Sequence, residues 1–233
     1  TETPEWNTSP EMRLMINLAF AHGARGWFAF TYHNDPIWVE GNTQRSLTGP
    51  FLNFSDNWSE LGHRMERFYA LTPLALNARP MDSPPEHDFK ITWEDHDKSL
   101  RPADLPAIQW NWLAGPDFQL VYVISNELNE VTTVNLEVPD TFSKGLEVYD
   151  MTDFVRSRNW QPSAHRRHLE MFPGQGQILL VAEPEVCERL RDAIIQRLQE
   201  DDQRQVAINL GLARRYDLDV AAIQRSIRQI GTR

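Results

Sequence analysis

Seven short strand-like segments between residues 91 and 181 restrict the fold of this chain more than any other feature. Each is rich in β-branched, aromatic or other apolar residues and is bounded by turn residues; the segments are 91–93, 108–112, 118–125, 131–138, 146–149, 168–171 and 178–181. Short strands at this spacing are typical of an antiparallel β-sandwich. A proline-rich stretch, MDSPPEHDFK, precedes them and is predicted to be a linker. The pattern therefore predicts a β-sandwich domain over residues 80–182.

A helix is predicted near the start of the chain. Ser9 is a suitable N-cap, Pro10 fits the first helical position, and Glu11 complements the positive end of the helix dipole. The apolar residues that follow at helical spacing are Met12, Met15, Ile16 and Ala19. Gly23 is then suited to the left-handed conformation that ends many helices.

Residues 27–30 form a continuous apolar run, WFAF, which predicts a parallel strand covered on both faces. A long loop follows, and a second amphipathic pattern predicts a helix over 56–71. Helix, strand, loop and helix indicate part of an α/β domain over residues 1–79. Residues 183–233 are predicted to be a helical tail, with amphipathic helices over 186–198, 206–213 and 220–230.

The charge of the chain argues against nucleic acid as a partner. Lys and Arg number 23 against 33 Asp and Glu, a formal net charge of −10, whereas nucleic acid requires a basic face. The tail contains nine Arg and nine acidic residues, so the whole deficit lies in the first 182 residues. We also predict no membrane span, because no apolar run approaches the roughly 20 residues that one requires.

The residue types that bind metals are too scattered to predict a metal site or a cofactor. Cys187 is the single cysteine, so an intramolecular disulfide and a cysteine-based zinc site are excluded, and helix packing is its expected role. The histidines without ligand spacing are His63, His87, His96, His165 and His168. A group of arginines is compatible with a carboxylate or phosphate ligand, although an exposed hairpin is the commoner case; it comprises Arg156, Arg158, Arg166 and Arg167.

A set of residues near the start of the chain resembles the end of a clan A glycoside hydrolase barrel and is most similar to the family 42 β-galactosidase type. The residues that carry the resemblance are Glu2, Pro4, Trp6, Arg13, Ala21-His22-Gly23-Ala24, Gly26 and Tyr32-His33. The resemblance implies the C-terminal piece of a (β/α)8 barrel, followed by the antiparallel β-sandwich and the short helical tail. The expected fold class is thus α/β plus all-β.

The resemblance also implies a chemistry. Glu2 stands at the position of the nucleophile in a retaining, two-carboxylate hydrolysis of O-glycosidic bonds, with Glu5 as its rival and a solvated terminal acid as the structural alternative. The acid/base would come from a fourth barrel strand that this chain does not supply. The chain is therefore expected to be an inactive fragment, whose partners are a carbohydrate substrate and the missing N-terminal barrel portion. The resemblance also implies that the full protein is secreted or periplasmic.

Four further residues are expected to bind the substrate: Trp6, Tyr32, His33 and Trp38. Aromatic faces suit sugar C–H faces, and loops after barrel strands line the site. Ordinary packing at a barrel rim is the alternative for each of them. The alternative function is a non-catalytic carbohydrate-binding or structural protein on the same scaffold.

Overall fold

The computed structural model describes residues 8–26, 56–82, 90–94, 105–137, 145–162, 166–222 and 224–225. These residues form five helices and eight strands, in the order α1 (Ser9–Ala21), α2 (Asp56–Ala70), α3 (Thr72–Ala75), β1 (Arg79–Pro80), β2 (Lys90–Trp93), β3 (Ile108–Ala114), β4 (Phe118–Ser125), β5 (Thr132–Glu137), β6 (Glu147–Asp150), α4 (Met151–Ser157), β7 (Arg166–Met171), β8 (Gly176–Ala182) and α5 (Pro184–Arg215). No helix among them is long and apolar enough to cross a membrane.

The strands form two sheets. The larger has five strands in the order β1-β3-β4-β8-β6, and the smaller has three in the order β2-β5-β7. Every strand pair in the two sheets is antiparallel. Strands β3 and β4 form a hairpin in which Ile108 lies opposite Ser125, and β4 then pairs with β8, with Phe118 opposite Ala182.

Strand β4 contributes to two separate cores because successive side chains of a strand point to opposite faces. Leu120, Tyr122 and Ile124 pack with the helices, whereas Val121 and Val123 face the three-stranded sheet. The core between the sheets is completed by Val134, Leu136 and Met171 from the smaller sheet. The described residues thus form three layers: the small sheet, the large sheet and the helices.

The fold-class prediction is wrong, because the described residues contain no piece of a (β/α)8 barrel. A barrel requires parallel strands that alternate with helices, but the strand pairs here are antiparallel. Helices α1 and α2 instead cover the outer face of the five-stranded sheet, where Phe20 and Phe68 stack with ring centroids 3.6 Å apart. The helical periodicity indicated an apolar face without specifying the surface that it covers. The strand predicted over 27–30 lies outside the described residues.

The tail also differs from its prediction. The segments 186–198 and 206–213 belong to one helix of 32 residues, α5, rather than to two. The residues between them, Gln199 to Gln205, are charged or polar and compatible with a solvated helix. Most of the third predicted helix, over 220–230, lies outside the described residues. The division into units at 79/80 and 182/183 stays a prediction.

Candidate functional site

The site residues predicted from the sequence, Glu2, Trp6, Tyr32, His33 and Trp38, lie outside the described residues. Their roles therefore stay predictions. The strongest candidate site in the part that the structure describes lies elsewhere, beneath α1 and α2.

This site is a cleft of about 660 Å³ lined by α1, α2, α4 and the turn between β7 and β8. The lining residues are Arg13, His63, Arg64, Glu66, Arg67, Thr152, Val155, Arg158, Phe172 and Gln175. Among the described side chains, four arginines and a histidine line the cleft together with one carboxylate, that of Glu66. Arg158 also pairs with Asp202 of α5, which lies outside this lining. The cleft, called the arginine cleft below, is a locally positive surface on a chain whose net charge is −10.

The start of α1 determines where Arg13 is placed. Thr8, rather than the predicted Ser9, is the N-cap: its hydroxyl accepts a hydrogen bond from Glu11 N at 3.5 Å, and Glu11 Oε2 accepts one from Thr8 N at 2.5 Å. This reciprocal capping box fixes the first turn. Leu14 and Asn17 then point towards the sheet, and Arg13 lies beside them facing α2.

Glu60 on α2 holds two of the cleft arginines. Its carboxylate accepts hydrogen bonds from Arg13 Nε at 3.0 Å, Arg13 Nη2 at 2.9 Å and Arg64 Nε at 2.5 Å. Burial by itself raises the pKa of Glu60, but the hydrogen bonds and charges of Arg13 and Arg64 outweigh it, so this pKa lies below its ordinary value. Two guanidinium groups therefore share one carboxylate, and the cluster keeps a net positive charge.

Arg67 makes its hydrogen bonds to neutral groups, and the carboxylate of Asp150 acts on it from a longer distance. Its Nη1 donates to the carbonyl oxygen of Gly176 at 3.2 Å, and its guanidinium also lies within hydrogen-bonding reach of the Tyr122 hydroxyl. That hydroxyl donates to Asn17 Oδ1 at 2.9 Å. Burial lowers the pKa of Arg67, yet a guanidinium stays charged at neutral pH. Among the described residues, Arg67 takes part in no ion pair.

The remaining wall combines an aromatic ring with a separate polar chain. Phe172 is 55% exposed, and its backbone N–H donates to Gln175 Oε1 at 2.9 Å. Gln175 in turn contacts Gln177, whose Nε2 donates to Asp150 Oδ2 at 2.5 Å. Asp150 forms its ion pair with Arg167 at 2.8 Å and does not line the cleft. The carboxylate of Asp150 is thus already committed outside the cleft.

This arrangement is suited to binding an anion rather than to acid–base hydrolysis. Guanidinium groups form forked, charge-assisted hydrogen bonds with carboxylates and phosphates. Hydrolysis of a glycosidic bond requires two carboxyl groups, whereas Glu66 is the one carboxylate among the described side chains that line the cleft. In the described part of the chain, no cluster of three or more His, Cys, Asp or Glu side chains is suited to hold a metal ion.

A second cavity, of about 760 Å³, lies between α2, α3 and α5. Its charges balance, since Arg25 and Arg204 are matched by Glu66 and Asp201. Arg204 also lies over the ring of Tyr69, 5.6 Å from the centroid. This cavity therefore lacks the surplus charge that distinguishes the arginine cleft.

Sequence reasoning found one part of the cleft and missed the rest. Arg158 belongs to the arginine group that was considered for a carboxylate or phosphate ligand. Arg64 and Arg67 were missed, although their i, i+3 spacing on α2, four and seven residues after Glu60, is a signal of a shared helix face. Scans against protein-family models and a search of curated proteins found no match for this chain.

Proposed function

We propose that the described part of the chain is a non-catalytic binding module whose arginine cleft holds an acidic, sugar-sized ligand by its carboxylate. The observation that carries this proposal is the position of Arg67, a charged group in the cleft wall whose contacts are to Gly176 O and the Tyr122 hydroxyl. A partly buried charge that has no carboxylate within ion-pair distance is costly, and the more distant charge of Asp150 offsets only part of that cost. An anion in the cleft would offset that cost.

Arg13 and Arg64 support the same conclusion. They share the carboxylate of Glu60, so these three groups carry a net charge of +1, and Glu60 keeps both side chains ordered before a ligand arrives. Ordered guanidinium groups lose little conformational entropy on binding, which favours affinity. The cleft thus offers preorganised donors to a planar carboxylate.

The size and the aromatic wall of the cleft favour a sugar acid over a bare ion. A volume of about 660 Å³ lies in the range of ligand sites, and inorganic phosphate would leave most of it empty. The exposed ring of Phe172 provides an apolar face next to the arginines, as stacking against a sugar requires. We therefore propose an oligosaccharide containing a uronic acid as the carbohydrate partner.

Calorimetric titration of the full chain tests this proposal. A galacturonate trisaccharide should bind, and the neutral galactose trisaccharide should bind at least about tenfold more weakly, since a charge-assisted contact is lost. Phe172→Ala should weaken the acidic ligand without unfolding the chain, because the ring is exposed. Arg158→Gln should also weaken the binding of the acidic trisaccharide.

Arg189→Gln is the matched control, since Arg189 is an exposed arginine outside the cleft that pairs with Asp117. It should leave the affinity unchanged. Equal binding of the neutral and acidic sugars, or no binding of either, would contradict the proposal. Preference for inorganic phosphate over the sugar acid would reassign the cleft to phosphate and also contradict it.

The residue pattern favours a second candidate, a retaining β-galactosidase-like hydrolase with Glu2 as its nucleophile. Its support is the sequence resemblance that runs from Glu2 to His33. In a longer protein that contains this chain and has such an activity, Glu2→Gln should abolish turnover of aryl galactosides while the circular dichroism spectrum stays unchanged. Glu5→Gln is the control and should retain turnover. Full activity of the Glu2 variant would exclude that role.

A further inference from the structure

The cavity of about 760 Å³ between α2, α3 and α5, called the second cavity below, is lined in part by apolar side chains. These are Phe20, Met65, Phe68, Tyr69, Ala75 and Leu76. The rings of Phe20 and Phe68 are stacked and buried, whereas Leu76 is 46% exposed. A volume of this size lies in the range of sites that hold small organic ligands. The second cavity is therefore suited to the apolar part of a ligand.

Two of the charged side chains in the second cavity are already paired with each other. Arg204 Nη2 lies 3.7 Å from Asp201 Oδ1, and the same guanidinium lies over the ring of Tyr69. Arg25 and Glu66 also line the cavity, and within the described part of the chain neither of them forms a hydrogen bond or an ion pair. The second cavity thus offers one uncommitted guanidinium and one uncommitted carboxylate.

A glycine of α2 leaves space open in the same cavity. Gly62 lies in the interior of the helix, where glycine is destabilising relative to alanine. A Cβ at this position would meet nothing within 4 Å, so close packing does not explain the glycine. Because Gly62 lines the second cavity, the missing side chain leaves volume that a ligand can fill.

We propose that the second cavity binds a short peptide of two or three residues that has free termini and apolar side chains. The terminal carboxylate binds Arg25, the terminal ammonium binds Glu66, and the apolar side chains contact Tyr69 and Leu76. Both terminal contacts are charge-assisted hydrogen bonds, which are stronger than neutral ones. A simple anion or cation would satisfy only one of the two charged groups, and a single amino acid would leave much of the volume empty.

This site is distinct from the arginine cleft, although Glu66 lines both. Arg25, Gly62 and Tyr69 line the second cavity and are absent from the lining of the arginine cleft. Failure of galacturonate to bind would therefore leave the peptide site intact. Failure of the peptide to bind would likewise leave the arginine cleft unaffected.

Calorimetric titration of the full chain with the dipeptide leucyl-phenylalanine tests the proposal. The dipeptide should bind, and its N-acetyl and C-terminal amide forms should each bind at least about tenfold more weakly, since each lacks one charged terminus. Arg25→Gln should remove the preference for the free carboxylate but keep the preference for the free ammonium. Glu66→Gln should do the reverse. Both side chains are exposed, so both variants should fold, which circular dichroism checks.

A variant that fills the cavity provides a second test. Gly62→Phe should lower the affinity for the dipeptide at least about tenfold without unfolding the chain, because its side chain would enter open space. Gly211→Phe is the matched control, since Gly211 also has nothing within 4 Å of its Cβ position and lies in α5 outside the lining of the second cavity. It should leave the affinity unchanged. No binding of the dipeptide, equal binding of its blocked forms, or unchanged binding by the Gly62→Phe variant would overturn the proposal.

Discussion

Arg67 donates a hydrogen bond from Nη1 to the carbonyl oxygen of Gly176 over 3.2 Å, which joins helix α2 to the first residue of β8. The same guanidinium lies beside the hydroxyl of Tyr122 on β4, and that hydroxyl is bonded to Asn17 on α1. Contacts that position a charge in the cleft therefore also hold two helices to the sheet. Variants of this network should change both stability and binding.

Tyr122→Phe should lower the free energy of unfolding by about 1–3 kcal/mol at neutral pH, because Asn17 Oδ1 and Arg67 lose a buried partner. Urea denaturation measures the difference. Tyr149→Phe is the control. The Tyr149 hydroxyl donates a hydrogen bond to Glu147, two residues away in the same strand, and so does not join two layers of the fold. If Tyr122→Phe lowers the free energy of unfolding by no more than Tyr149→Phe does, the network contributes little to the packing of α1 on the sheet.

The same hydroxyl predicts a dependence on alkaline pH. Burial raises the pKa of Tyr122 to about 12, with Arg67 acting in the opposite direction. The unfolded chain therefore releases this proton near the ordinary value of about 10, before the folded chain does, so stability should fall as the pH rises above about 10. The Tyr122→Phe variant should show a shallower fall. Parallel pH profiles for the two proteins would contradict the assignment.

Glu60→Gln should lower the free energy of unfolding by about 2 kcal/mol at pH 7, because Arg13 and Arg64 lose their shared carboxylate in a largely buried setting. The pKa of Glu60 lies below its ordinary value in the folded chain. Its contribution is therefore complete above about pH 4.3 and is lost as the pH falls through the lowered pKa. The difference between the two proteins should shrink in that acidic range. A difference that stays constant down to pH 2 would exclude the ionic explanation.

Gly174→Ala should be strongly destabilising, by about 3 kcal/mol or more, because φ is +66° and a Cβ would lie 2.3 Å from the backbone oxygen of Pro10. Gly211→Ala is the matched control: it lies within α5, and nothing lies within 4 Å of its Cβ position. That change should instead stabilise the chain by about 0.5–1 kcal/mol. Thermal or urea denaturation distinguishes the two, and similar effects at both sites would contradict the close approach of α1 to the β7–β8 turn.

The thiol of Cys187 should be unreactive in the folded chain. It is buried between α5 and β8, with Sγ 3.7 Å from the carbonyl oxygen of Ala182, and burial, aided by the charge of Glu147, raises its pKa to about 12. The thiolate is the reactive form. An aromatic disulfide reagent should therefore react slowly in buffer and rapidly in urea. Rapid reaction without denaturant would contradict this burial.

Local patterns predicted strands better than they predicted helix faces. The segment 118–125 coincides with β4, because turn residues bound an apolar run that is buried on both faces. In α1 the predicted stripe included Met15, which is 44% exposed, whereas the buried face includes Asn17 and Phe20. Almost every residue from Leu14 to Ala21 is apolar, so periodicity alone does not select a face. Burial of Asn17 depends on partners more than a hundred residues away, Tyr122 and Gly174.

The arginine cleft was hidden from sequence reasoning for a related reason. Arg13 and Glu60 are separated by 47 residues and meet only because α1 and α2 lie on the same face of the sheet. The pattern on α2 indicated a shared helix face for Arg64 and Arg67 but not the wall opposite them. That wall includes Phe172 and Arg158, which belong to other elements. The prediction of a barrel placed α1 and α2 in a different environment.

The order of strands in the large sheet also has a consequence during synthesis on the ribosome. Strand β8 lies between β4 and β6 in the large sheet. Until residues 176–182 have left the exit tunnel, β4 therefore pairs only with β3, and β6 has no partner strand in this sheet. Until then, one edge of β4 offers unpaired backbone groups to other nascent chains. When β8 is added, it pairs with β4 on one side and with β6 on the other. The first half of α5 follows β8 directly in the chain and then packs on the completed sheet through Cys187, Leu190 and Ile194. We therefore expect nascent chains that end before residue 176 to associate more readily than chains that include α5.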